Sequence, residues 1–170
     1  MKRPILSVSL LWIASSSTAV TVDWTRIENA GNACDPQAGG PICAGAVPYV
    51  YDIATYEVTN AQYAEFLNAK AASDPYGLWA SPMGTPGGWA GITRSGSTGS
   101  YTYGVVTGRA DMPVTYVSSS DILRFANWME NGQGNGDTEK GSYLLFGGTW
   151  QVAVGLLCAL GLARSRRARD

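Results

Sequence analysis

Tyr56-Glu57-Val58-Thr59-Asn60-Ala61-Gln62-Tyr63-Ala64-Glu65-Phe66-Leu67-Asn68 decides how the rest of this 170-residue chain is read. Thr59 followed three residues later by Gln62 fits a capping box, in which the hydroxyl accepts from an orphan backbone N–H and the amide side chain reaches back. Tyr63, Phe66, Leu67 and Lys70 then recur at helical spacing, an apolar stripe ending on a lysine stem. The preceding residues 49–56 alternate Tyr49, Tyr51 and Ile53 against Val50, Asp52 and Ala54, which reads as a strand. A strand feeding a capped helix occurs in many folds, and ordinary core packing accounts for the aromatics here without giving them chemistry.

Residues 111–118 lead into a second helix, capped by Ser120 or a neighbouring serine, with Asp121 at its positive end. Ile122, Phe125, Ala126 and Met129 fall at i, i+3, i+4 and i+7, and Asn131-Gly132 supplies the stop. Between the helices, residues 73–107 are dense in glycine, serine, tyrosine and tryptophan. Pro75-Tyr76-Gly77-Leu78-Trp79 and Gly87-Gly88-Trp89-Ala90-Gly91 hold few helix formers, so long ordered loops pinned by aromatics are expected. Low-complexity disorder is the alternative, against which the aromatics weigh. Residues 101–106 read as a further strand.

In order and spacing these segments resemble the formylglycine-generating-enzyme family, also called the sulfatase-modifying-factor domain. Tyr56, Glu57, Thr59, Asn60, Tyr63 and Phe66 match its opening helix. Asp121, Phe125, Ala126, Asn127 and Trp128 match a second helical signature, in which Ser119 stands where the family carries tryptophan. That departure is expected to leave a packing gap. Residues 91–96 and 131–134 resemble the exported branch of the family, and the resemblance spans residues 24–146. It implies an α+β fold, the N-terminal part of a C-type-lectin-like architecture, with two helices on a small antiparallel sheet and long loops. The matched residues are read as structural.

The resemblance also implies what this chain lacks. Such a domain continues past a segment seen here as Thr138-Glu139-Lys140-Gly141-Ser142-Tyr143-Leu144-Leu145 into an Arg-Leu-Pro helix, calcium-binding loops and late copper-binding cysteines, none of which is present. Oxidising a peptidyl cysteine through Cu(I) needs two soft thiolates in an open site. With no catalytic or metal-binding residue to assign, neither of the family's metals, copper or calcium, is expected on this chain. The absence of histidine excludes Ser-His-Asp triads and histidine metal sites. Glu57, Glu65 and Asp121 sit where strand and helix ends want them rather than as a carboxylate pair. The glycine clusters lack the Lys-Ser/Thr of a phosphate loop.

The ends read as addresses. Residues 1–19 look like a secretory signal: Lys2 and Arg3, an apolar run over 5–14, then Ser17-Thr18-Ala19 as a cleavage site. The alternative is a buried N-terminal strand or helix. Residues 147–170 form the other address, with an apolar run over 152–163 followed by Arg164, Arg166, Arg167 and Arg169, a membrane stop with a basic end. It resembles the sorting tails of PEP-CTERM proteins, although no Pro-Glu-Pro precedes Trp150. The alternative there is a buried terminal helix with a solvated end. Residues 20–146 are then the domain. Of 12 basic and 13 acidic side chains, six basic and twelve acidic ones fall between the addresses, so the body carries about −6. That charge argues against nucleic acid or an anionic membrane face as a partner.

Export makes Cys34 and Cys43 a plausible disulfide across a loop of turn formers, with a metal or catalytic pair as the alternative. Cys158 reads as a small buried hydrophobe or an acylation site. Three functions compete. The first is an exported, non-catalytic, truncated family member held at the membrane or cell surface by its tail. The second is a lectin-like surface binding module for a glycan or protein ligand. The third is a copper-dependent oxidase converting peptidyl cysteine to formylglycine, with a partner chain supplying the missing half.

Overall fold

The structure is a computed structural model and describes residues 19–35, 44–145 and 163–164. The chain runs β1 (Trp24–Ile27), β2 (Tyr51–Ala54), α1 (Asn60–Lys70), a 3₁₀ turn (Ser81–Met83), β3 (Ile92–Ser95), β4 (Thr102–Val105), α2 (Ser119–Glu130) and β5 (Ala163–Arg164). This is the α+β class expected, with two small antiparallel sheets in place of one. β2 lies between β1 and β5, pairing Ile27 with Tyr51 and Asp52 with Arg164, while β3 and β4 form a separate hairpin.

α1 starts as its residues dictate. Thr59 Oγ1 accepts from the Gln62 N–H at 3.2 Å, and the Thr59 N–H donates to Gln62 Oε1 at 2.9 Å. The helix buries Asn60, Tyr63, Ala64, Phe66 and Leu67, the stripe read from spacing, and Lys70 reaches across to the Gly136 carbonyl. Asn68 pairs with the Tyr103 main chain at 2.9 Å through both its oxygen and its nitrogen, which docks α1 on β4.

α2 departs from the expectation in two respects. Its cap is Ser118, not Ser120, because Asp121 then stands three residues on and closes a second capping box. Its buried face is Asp121, Arg124, Phe125, Asn127 and Trp128, whereas Ile122 is exposed and Met129 only partly covered. Phe66 selects that face: its ring lies 5.4 Å from Phe125 and 5.3 Å from Trp128, with Tyr63 against Phe125 at 6.0 Å. The packing gap expected at Ser119 does not arise, because Ser119 is exposed in the first turn.

Each core aromatic that carries a polar atom satisfies it. Tyr63 Oη donates to the Leu78 carbonyl, Tyr103 Oη to that of Ala71, and Trp128 Nε1 to that of Gly134. Tyr49 and Tyr56 do not join the core: Tyr56 is 72% exposed, so the packing reading fails for it. The loops are ordered as expected. Arg94 lies between Trp79 and Tyr101, 4.2 and 4.3 Å from their rings, and its guanidinium faces Asp74 at 3.6 Å. β3 lies inside this glycine-rich region, where no strand was expected.

Candidate functional site

Two constellations stand out, one internal and one open to solvent. Internally, Asn127 is fully buried on α2 and faces the segment that follows it. Its Nδ2 donates to the Thr138 carbonyl at 2.9 Å and the Tyr143 carbonyl at 2.8 Å, and its Oδ1 accepts from the Tyr143 N–H at 3.0 Å. Beside it Arg124 Nε donates to Glu139 at 2.7 Å, with Asp121 at 3.5 Å and the Tyr76 ring stacked 4.3 Å away. Burial alone would lower the Arg124 pKa, but the Glu139 hydrogen bond and charge, together with Asp121, outweigh it and hold the guanidinium above its ordinary value. Every charge here has a partner, and the cluster fastens residues 138–143 to α2.

The open constellation is a groove of about 520 Å³ lined by Asn60, Gly88, Trp89, Arg109, Met112, Pro113 and Thr115. Its wall is built by α1. Asn60 is 2% exposed, and its Nδ2 donates to the carbonyls of Arg109 at 2.9 Å and Met112 at 3.0 Å, while its backbone N–H also donates to Met112. Gly91 permits this: a Cβ there would collide with the Asn60 amide. On the opposite lip Trp89 is 72% exposed, and its carbonyl accepts from Thr115 Oγ1 at 2.9 Å. Met112 and Tyr116 are also about half exposed, and Tyr116 holds a left-handed φ of 63°.

Arg109 is distinctive. Among the described residues Arg26, Arg94 and Arg124 each face a carboxylate within 4.0 Å, and Arg109, half-buried in the groove, faces none. Asn60 was read in the sequence as structural, and in the fold its amide braces the Arg109 and Met112 carbonyls; its neighbours Trp89, Arg109 and Met112 were not singled out. No spacing signal marks them, because they come from separate loops that only the fold brings together.

The remaining residues named from sequence divide as follows. Thr59, Asn60, Tyr63, Phe66, Asp121, Phe125, Asn127 and Trp128 lie in caps or core, and Tyr56 and Glu57 are exposed. Cys34 is disulfide-bonded; Cys43 lies outside the described residues, as do Cys158 and the tail residues Arg166, Arg167 and Arg169. Arg164 pairs through its backbone with β2. Among the described residues no helix is long and apolar enough to cross a membrane.

The family's copper chemistry asks for a pair of thiolates, and the described residues do not fit that requirement: Cys34, their one cysteine, is committed to a disulfide. Among them no three of His, Cys, Asp and Glu converge as a metal site either. No curated protein and no solved structure matches the chain. A family model does match, that of the sulfatase-modifying factor enzyme 1-like domain, over residues 31–156. That span covers most of the chain and contains both capped helices, the hairpin and the Asn127 latch, so the protein belongs to the sulfatase-modifying factor enzyme 1-like family.

Proposed function

We propose that this chain is an exported, non-catalytic member of its family. The observation that carries the reading is the state of Cys34. The chain has three cysteines and no histidine, and a disulfide within it consumes two of the three. One thiol remains, one short of a two-thiolate Cu(I) centre. The signal-like N-terminus and the arginine-ended apolar tail support export and retention at the membrane or cell surface. The test is oxygen consumption by the full chain with Cu(I) and a cysteine-containing peptide. No copper-dependent uptake is expected; formylglycine production, with or without an added partner chain, overturns the reading.

A second reading builds on the first, and the groove favours it. An arginine that is half-buried and has no carboxylate partner among the described residues, beside a tryptophan held out in solvent, suits contact with a ligand better than it suits packing. On this reading the domain is a surface binding module, its ligand a glycan or a protein, and its acidic body keeps nucleic acid away.

A further inference from the structure

We infer that the groove takes a short oligosaccharide bearing a carboxylate; this deepens the binding-module reading and rests on it. Three features of the groove converge on that chemistry.

The first is the display of Trp89. Gly87 and Gly88 precede it with φ of 96° and 62°, conformations that side-chain-bearing residues avoid, and they turn the chain so that the indole stands clear of the body. The Thr115 hydroxyl holds its backbone in place. A flat apolar ring displayed at the lip of a groove matches the C–H face of a pyranose, and Met112 and Pro113 add apolar lining beside it.

The second is charge. Among the described residues Arg109 is the one charged side chain lining the groove, and none of them brings a carboxylate within reach of it. Asp111, two residues along, forms no ion pair with it. A guanidinium presents a planar fork that suits a carboxylate, and partial burial strengthens such a contact. The body around it carries about −6, which repels long polyanions and favours a ligand with few charges.

The third is the state of the main chain. Asn60 occupies the Arg109 and Met112 carbonyls, the Ala61 N–H donates to Ala110, and the Val114 N–H donates to Val58. An extended peptide docks by pairing with free backbone groups, and this wall offers few. Recognition therefore falls to side chains: Trp89 and Arg109, with the Thr115 hydroxyl as an acceptor for a sugar hydroxyl. A volume of about 520 Å³ lies within the range of small-ligand sites.

The experiment is isothermal titration of the full chain, kept in mild detergent and calcium-free buffer, with trigalacturonate and with its fully methyl-esterified form. The acid is expected to bind at least tenfold more tightly than the ester. Arg109→Gln should abolish that preference, and Trp89→Ala should weaken both ligands, each with an unchanged circular dichroism spectrum. Equal affinity of the unsubstituted chain for acid and ester, or no binding of the acid, overturns the inference. If the acid fails while a neutral oligosaccharide or an acidic peptide binds in a Trp89-dependent way, the inference falls and the binding-module reading stands. If no probe shows Trp89-dependent binding, both fall.

Discussion

Replacing Asn127 by alanine should unfasten residues 138–143 from α2. The side chain makes three hydrogen bonds of 2.8 to 3.0 Å to Thr138 and Tyr143. Each is worth about 1 kcal/mol net, and a buried carbonyl left without a partner adds roughly 1–3 kcal/mol. Thr138 is 6% exposed, so its carbonyl bears that penalty, whereas half-buried Tyr143 recovers part of its loss through water. The expected cost is therefore about 3–5 kcal/mol, a large share of the roughly 5–15 kcal/mol that holds a typical domain together. Urea unfolding measures the loss, and amide exchange at Tyr143, whose N–H is held by Asn127 Oδ1, reports its location. Asn127→Asp keeps the shape and that acceptor but sets a carboxylate against two carbonyls, so it should do no better than alanine. A cost below about 1 kcal/mol with unchanged exchange at Tyr143 would refute the latch.

Gly91→Ala should lower the melting temperature and disturb the groove together, because the new methyl displaces the Asn60 amide; a variant melting like the parent would contradict that packing. Thr59→Ala should cost about 1 kcal/mol in urea unfolding through loss of the α1 cap, and Gln62→Ala less. Burial raises the Tyr63 and Tyr103 phenols, reinforced by Asp121 and Asp74 at Tyr63 and by Asp74 at Tyr103. The folded state therefore keeps them protonated where an unfolded chain ionises near pH 10, so their contribution is complete below about pH 10 and is lost as pH climbs above it. Absorbance at 295 nm should show the Tyr63 phenol ionising only as the far-ultraviolet dichroism collapses, and Tyr103 later than in the unfolded chain; full tyrosine ionisation near pH 10 with the dichroism intact would refute this.

What the sequence disclosed depended on how local its cause was. The Thr59–Gln62 box is a four-residue interaction, and it is read directly. Ser118, Ser119 and Ser120 are interchangeable by composition; only the reach of Asp121 to the residue three before it makes Ser118 the cap. Hydropathy placed Ile122 inward and gave no weight to Asn127, yet the aromatic cluster and the Asn127 bonds turn the helix so that the asparagine is buried and the isoleucine is not. The family pattern did better on this helix, since Asp121, Phe125, Asn127 and Trp128 all lie on the buried face. β3 escaped notice because glycines flank it and its pairing with β4 is tertiary. The groove was illegible for the same reason: Asn60, Trp89 and Arg109 are neighbours only after the chain has closed.

Asn60 holds the 109–112 loop by its carbonyls, not by its side chains. The course of that loop is thus insulated from the identity of the residues it displays. Substitution at positions 109 or 112, or at exposed Trp89, changes what the rim presents without moving the wall behind it, whereas Asn60 and Gly91 admit almost no exchange. A scaffold divided in this way can be retargeted one rim residue at a time at little cost to folding, so related chains should diverge at the rim while keeping the asparagine–glycine pair beneath it.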